Sequence, residues 1–256
     1  MLATSVLVTR PEREADRWVE ALRLKGLPAH ALPLIAIAPA PDPRALEALR
    51  EGLSVYRAVM FVSANAVHGL LAPSPSAWPA GTRAWATGPG TRQALLACGV
   101  PHALVDAPGP DAAQFDSEAL WHEVGDALVP GDRILIVRGG DASGQPAGRD
   151  WLASRLEAAG ARVDVVVAYV RGLPRWNAAQ RDLALLGAGG RAWWIFSSSE
   201  GVDNLARLMP GQDWSAARSV CTHARIAQSA RAAGFGVVAQ SRPALEEVAA
   251  FLQSQP

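Results

Sequence analysis

The sequence predicts an α/β protein made of two similar parallel-sheet domains. Three observations carry that expectation. Short apolar runs alternate with amphipathic helical stretches along the chain, and a parallel crossover needs a helix between its strands. The chain also repeats itself: Phe61-Val-Ser63 recurs as Phe196-Ser-Ser198, Ala86-Thr87 as Cys221-Thr222, and Gly99 as Gly234, each displaced by 135 residues. Finally, a length of 256 residues accommodates one large α/β domain or two small ones.

Taken in order, Val6 to Arg10 reads as a buried strand, and Pro11 opens a helix in which Ala15, Trp18, Val19 and Leu22 form one apolar face. Gly26 caps that helix, the apolar run Leu32 to Ala38 reads as the next strand, and Pro39, Pro41 and Pro43 mark a linker. Arg44 to Gly52 is a short helix, and Ala58 to Val62 is a strand that runs into Ser63-Ala-Asn65 at a helix start. The proline-rich loop Pro73 to Pro79 leads to the strand Arg83 to Thr87, and Gly88-Pro-Gly-Thr91 opens a helix that ends at Gly99. Val100 to Val105 is expected as a strand, Phe115 to Leu128 as a helix, and Arg133 to Arg138 as a strand followed by a Gly-rich loop through Gly148. Trp151 to Ala159 is a helix closed by Gly160, and the β-branched run Val163 to Arg171 is the most strand-like stretch of the chain. Strands then follow at Trp193 to Phe196, Ser219 to Thr222 and Val237-Val238, with helices at His223 to Ala233 and Leu245 to Leu252.

The apolar run Leu32 to Ala38 and the β-branched run Val163 to Arg171 correspond. Gly26 and Gly160 differ by 134, which places Tyr169 where Ile35 falls in the earlier copy. A tyrosine near the end of an apolar run has two readings: a hydroxyl satisfied by a backbone partner, or a functional group. The first strand matches Ile134 to Arg138 at an offset of 128, so Arg10 and Arg138 correspond.

Composition narrows the function. Half the residues are apolar, 19% are charged, and 24 Lys and Arg balance 24 Asp and Glu. That gives no long-range attraction to nucleic acid or an anionic membrane, so an anionic ligand would need local donors. Cys98 and Cys221 stand far apart in no metal-ligand spacing, which fits a reducing compartment. The first ten residues read as a strand rather than a signal peptide, and no apolar run reaches the ~20 residues that span a bilayer. The expectation is a cytoplasmic protein with no nucleic-acid and no membrane partner.

Polar residues gather at the carboxyl ends of the expected strands, where open parallel sheets bind ligands. The clusters are Thr9-Arg10, Ser63-Ala64-Asn65, Thr87-Gly88, Arg138-Gly-Gly140, Ser197-Ser198-Ser199 and Thr222-His223. Each precedes a helix start or a Gly-rich loop, whose free N–H groups can hold carboxylate or phosphate. Helix capping explains any one cluster equally well. The arginines have a salt-bridge alternative, with Glu12 or Asp141 as the nearby carboxylates, and His223 has a capping one. The phosphate-loop, dinucleotide, nucleophile-elbow and zinc-helix motifs are all missing, and the five histidines do not cluster. The nine tryptophans are read as core.

The ordered motifs Val8-Thr-Arg-Pro11, Phe61-Val-Ser-Ala-Asn-Ala-Val67, Ala86-Thr-Gly-Pro-Gly-Thr91, Leu135-Ile-Val-Arg-Gly139, Gly148-Arg-Asp-Trp-Leu152, the Tyr169 strand, Phe196-Ser-Ser-Ser199 and Arg225-Ile-Ala227 through Phe235 resemble the uroporphyrinogen-III synthase family over nearly the whole chain. The resemblance implies two flavodoxin-like domains joined by a two-stranded crossover, with the first strand and helix belonging to the C-terminal part. It places residues 1–38 with 171–256 in one domain and 39–170 in the other. It implies a cyclising hydro-lyase that needs no cofactor and no metal. The substrate would be hydroxymethylbilane, a linear tetrapyrrole that loses water, inverts its terminal ring and closes to uroporphyrinogen III. Tyr169 would assist departure of the hydroxyl. Arg10, Ser63, Ala64, Asn65, Thr87, Gly88, Arg138, Ser197, Ser198, Thr222 and His223 would contact substrate. A monomer that meets hydroxymethylbilane synthase only transiently completes the implied picture.

Two departures from the family pattern stand out. The loop from Gly139 to Gly148 is longer than usual, and Cys221-Thr-His-Ala-Arg225 replaces a Gly-Pro-Thr-like segment. A catalytically degenerate relative and a two-domain small-anion-binding protein are the competing readings. A nucleotide-dependent enzyme is disfavoured by the missing phosphate loops.

Overall fold

The computed structural model describes residues 5–72, 77–109, 111–112, 114–148 and 150–255. The first four residues, most of the expected loop from Pro73 and the Arg149 position of the Gly148 motif lie outside them. Contacts divide the chain into two compact units. One runs to Ala36 and resumes at Gly172, and the other spans Ile37–Arg171.

In the first unit, β1 (Ser5–Val8) is followed by α1 (Glu12–Leu24) and β2 (Ala29–Ala31). The chain returns with α7 (Ala178–Ala188), β9 (Ala192–Phe196), α8 (Ser199–Leu208), β10 (Arg218–Cys221), α9 (Ala224–Ala232), β11 (Val237–Gln240) and α10 (Leu245–Gln253). The sheet order is β2-β1-β9-β10-β11, with parallel neighbours throughout. The first strand thus pairs with β9, and the first strand-helix unit belongs with the C-terminal part.

The second unit holds β3 (Ala36–Pro39), α2 (Pro43–Glu51), β4 (Ala58–Phe61), α3 (Ala64–Leu71), β5 (Arg83–Ala86), α4 (Pro89–Ala97), β6 (Val105–Asp106), α5 (Ser117–Val124), β7 (Arg133–Gly140), α6 (Trp151–Ala158) and β8 (Arg162–Gly172). Its sheet order is β3-β8-β7-β4-β5-β6. Leaving aside the edge strand β3, this is the first sheet with β8, β7, β4, β5 and β6 in the places of β2, β1, β9, β10 and β11. The repeat read in the sequence is therefore a repeat of strand order. The registers agree as well: Val6 faces Ala29 in one sheet and Ile134 faces Val163 in the other, which reproduces the offsets of 128 and 134.

Both sheets are covered on both faces, which is why their strands are almost continuously apolar. In the first unit, Leu7, Trp194, Phe196 and Cys221 pack with Val202, Leu205, Ile226 and Ala230 of α8 and α9. On the other face Val6, Val8, Trp193 and Ile195 pack with Val19 and Leu22 of α1 and Val248 and Leu252 of α10. In the second unit, Val59, Phe61, Leu135 and Val137 meet Leu70 and Leu95 of α3 and α4, and Met60, Ile134 and Ile136 meet Leu120, Leu152 and Leu156 of α5 and α6.

Several expected elements differ. The run Leu32 to Ala38 is not one strand, because Pro33 has no N–H to give to a ladder. Leu32 and Leu34 still donate to the Val8 and Thr9 carbonyls, but the carbonyls of Pro33 and Leu34 accept from the Trp176 indole and the Asn204 side chain. Strand structure resumes only at β3. Between Val100 and Val105 the chain makes a 3₁₀ turn at His102–Leu104 after Pro101, so only Val105–Asp106 is strand. The helix expected to begin at Phe115 starts at Ser117, where Asp116 accepts the Ala119 N–H, and it ends as a 3₁₀ turn over Gly125–Ala127. Gly139 and Gly140 extend β7 rather than opening the loop. Helix α7 was not expected from the apolar pattern, although its capping box of Asn177 and Gln180 was legible in the sequence.

Cys221 faces the first unit's core, and burial pushes its thiol up to about 11. Alkylation at pH 8 is expected to label Cys98 while Cys221 reacts only on unfolding, with the labelled sites read by peptide mass spectrometry. The sign also fixes a pH dependence. The native state keeps the proton, so this residue's contribution to stability falls as the pH climbs from the thiol's ordinary value of about 8.5 towards about 11.

Candidate functional site

In parallel sheets all carboxyl ends lie at one edge, so the expected polar residues collect there within each unit. In the unit spanning Ile37–Arg171, Ser63 leaves β4 in extended backbone and caps α3, with its Oγ accepting the Ala66 N–H at 3.2 Å. The same oxygen lies 3.0 Å from the Tyr169 hydroxyl, and either group can donate. Tyr169 is only 6% exposed, its ring held in the cluster of Val59, Phe61 and Val137. Its hydroxyl thus meets a serine hydroxyl that itself takes a helix N–H.

The neighbouring residues continue the same edge. Ala64 is buried and Asn65 half-buried in the first turn of α3. Thr87 follows β5 and donates to the Val62 carbonyl at 3.3 Å, tying the ends of β4 and β5 together. Gly88 caps α4 beneath Phe115, where a Cβ would stand only 3.0 Å from the phenylalanine Cβ. These two helix starts add N–H groups to the hydroxyls, a combination suited to an anion.

Arg138 is buried in β7, and its Nη1 donates to Asp150 Oδ1 at 2.6 Å. The guanidinium packs on Gly148, where a Cβ would come within 2.7 Å of Nη2. The anticipated partner, Asp141, instead holds its own loop by accepting from the Ser143 and Gln145 N–H groups at 2.8 and 3.1 Å. The hydrogen bond from the Ser143 side chain leads the causes that lower the Asp141 pKa.

In the other unit, Thr9 donates to the Ile195 carbonyl at 2.6 Å. Arg10 stacks 4.2 Å from the Trp18 ring centroid and pairs with Glu14 at 3.0 Å, not with Glu12. Pro11 starts α1 so that Glu14 turns back towards Arg10, while Glu12 faces solvent. Burial lowers the Arg10 pKa, against the opposing charge and hydrogen bond of Glu14. Ser197 and Ser198 are half-buried after β9. Ser198 caps α8 in extended backbone with no side-chain capping bond, unlike Ser63 at the corresponding place. Thr222 is buried after β10, and its N–H donates to the Phe196 carbonyl at 3.0 Å. His223 is exposed and caps α9, its Nδ1 accepting the Arg225 N–H at 3.2 Å.

Within each unit the structure therefore gathers the expected residues at one sheet edge: Ser63, Ala64, Asn65, Thr87, Gly88, Arg138 and Tyr169 in one, Arg10, Ser197, Ser198, Thr222 and His223 in the other. The sequence placed Gly139 in a strand-end cluster and Gly148 and Asp150 in a family-like motif, but not the contacts of Gly139 with Tyr169, of Gly148 and Asp150 with Arg138, or of Trp18 with Arg10. Among the described residues, no group of three or more His, Cys, Asp or Glu is placed to hold a metal ion, and no helix is long and apolar enough to cross a membrane. A surface hollow of about 430 Å³ lined by Asp16, Val19, Glu20, Arg23 and Leu24 shares none of these residues.

The fold defines a duplicated flavodoxin-like α/β protein whose strand ends carry hydroxyls, N–H donors and a buried arginine, the equipment for an anionic organic ligand. A family model described as uroporphyrinogen-III synthase HemD matches residues 16–250, and the chain belongs to that family. The uroporphyrinogen-III synthetase of Helicobacter pylori is similar in structure, with a TM-score of 0.62 at 16% identity over 98% of each chain. A mutant uroporphyrinogen III synthase of Thermus thermophilus gives 0.54 at 16% identity, over 98% of this chain and 96% of that one.

Proposed function

We propose that this chain is a uroporphyrinogen-III synthase that closes hydroxymethylbilane with loss of water and inversion of the terminal ring. The family match across residues 16–250 carries the reading. The substrate's acetate and propionate groups suit the arginines and helix N–H groups at the two sheet edges. Because spontaneous closure gives the symmetrical isomer, the enzyme's task is to hold one folded geometry, which a site rich in fixed donors and poor in ionisable groups performs well. Tyr169 donates its hydrogen to the departing hydroxyl as a neutral phenol. Ser63 supports this, since its hydroxyl lies 3.0 Å from the Tyr169 oxygen and can donate to it.

In this reading Arg10, Ala64, Asn65, Thr87, Gly88, Arg138, Ser197, Ser198, Thr222 and His223 position the substrate. The domains are residues 1–38 with 171–256, and residues 39–170. The enzyme is a cytoplasmic, monomeric, cyclising hydro-lyase without a cofactor, and it meets hydroxymethylbilane synthase transiently.

The test is an isomer assay. Purified protein is given fresh hydroxymethylbilane without added metal or cofactor, the products are oxidised, and isomers I and III are separated by chromatography. Dominant isomer III is the expected result. Isomer I alone, formed at the uncatalysed rate, overturns the reading and favours a degenerate relative or a binding protein.

A further inference from the structure

Tyr169 reaches Ser63 across a strand that carries no side chain at the crossing point. Phe61, the last residue of β4, faces Val137 of β7, and Ser63 follows β4 as the cap of α3. Gly139 of β7 faces Tyr169 of β8, whose hydroxyl lies 3.0 Å from the Ser63 Oγ, so the tyrosine passes over the glycine to reach the serine. A Cβ at Gly139 would stand 2.6 Å from the Tyr169 Cζ and 2.9 Å from its hydroxyl oxygen. Any other residue type would push the ring off this path.

The face on which Tyr169 lies is also unusual. Along β8, Val166 and Ala168 pack with Phe61 and Val137, while Val163 packs on the opposite face with Ile134 and Ile136. Strict alternation sends Tyr169 to the Val163 face. Between Arg138 and Gly139 the register slips: Arg138 faces Val167, Gly139 faces Tyr169, and Ala168 is the extra residue of a β-bulge. The bulge turns Tyr169 onto the same face as Phe61 and Ser63. It is accommodated from the helix side by Gly69 of α3, where a Cβ would run into the Ala168 carbonyl oxygen, a backbone atom that cannot swing away.

We infer that Gly139 and Gly69 are positioning residues for Tyr169. Gly69 admits the Ala168 bulge that selects the face, and Gly139 clears the path that lets the hydroxyl meet Ser63. The inference rests on the reading of Tyr169 as the group that assists loss of the substrate hydroxyl, but the positioning is measurable without substrate.

The chain has two tyrosines, Tyr56 and Tyr169, so uniform labelling with 3-fluorotyrosine gives a simple ¹⁹F NMR spectrum in which Tyr169→Phe identifies the Tyr169 signal. In folded Gly139→Ala and Gly69→Ala, the Tyr169 signal is expected to shift while that of Tyr56 stays. In isomer III formation, kcat is expected to fall about 10- to 100-fold with KM within about two-fold. A folded variant with an unmoved Tyr169 signal, or with full kcat, overturns the inference. Should Gly139→Ala fail to fold, the double variant Gly139→Ala with Tyr169→Ala removes the ring that the new methyl meets. Recovery of the fold supports the inference, and an unfolded double variant overturns it. A shifted signal in a protein that never forms isomer III leaves the positioning intact and overturns the catalytic reading alone.

Discussion

Tyr169→Phe is expected to lower kcat for isomer III about 100-fold while KM for hydroxymethylbilane stays within about two-fold. The phenylalanine ring keeps the packing with Val59, Phe61 and Val137, so the fold and the substrate's contacts survive. What disappears is the hydrogen donor at the departing hydroxyl, together with the 3.0 Å contact to Ser63. The lost hydrogen bond costs about 1 kcal/mol of stability at most, because the Ser63 oxygen keeps its bond from the Ala66 N–H. A positioned proton donor contributes roughly 100- to 10,000-fold to a reaction, which sets the scale of the loss. The measurement is a stopped assay of isomer III with thermal unfolding run alongside. Full kcat in Tyr169→Phe would remove the tyrosine from the chemistry.

Trp194→Ala is expected to destabilise the protein by about 3–5 kcal/mol. Trp194 is fully buried in β9, stacked on Phe196 with centroids 5.9 Å apart. It meets the rings of Trp214 and Phe235 edge-on at 5.6 and 6.1 Å. Gly187 in α7 makes room for it, since a Cβ there would lie 2.5 Å from the indole nitrogen. Removing this ring leaves a cavity walled by rigid aromatics and a helix, which relax poorly. Urea unfolding followed by far-ultraviolet circular dichroism measures the change, and a loss below about 1.5 kcal/mol would show that the site collapses around the deletion.

These expectations draw on different levels of the molecule. The strand-helix alternation and the spacing of 135 residues were plain in the sequence, since strands buried on both faces must be apolar along their length and repeated units must place their turn glycines alike. Gly26, Gly99, Gly160 and Gly234 all close helices with positive φ, a conformation that glycine adopts without steric cost, so helix ends were easily placed. The serines, threonines and glycines at strand ends were legible for the same local reason.

Other features depend on residues far apart in the chain. Pro33 breaks the run that hydropathy joins, and the freed carbonyls find Trp176 and Asn204, more than 140 residues away. Arg138 chooses Asp150 over the nearer Asp141, because Asp141 is already committed to its own loop. Helix α7 carries a capping box that was readable, but its apolar pattern is too weak to announce a helix.

The sequence by itself thus determined the fold class, the duplication, the strand ends where polar groups collect and the family. The first three follow from local propensity and periodicity, and the family from the resemblance carried by the ordered motifs. The tertiary structure alone decided that Tyr169 lies across Gly139 against Ser63. A single bulge at Ala168 reverses the face of every residue beyond it, and no periodicity along one strand records a slip in register against its neighbour.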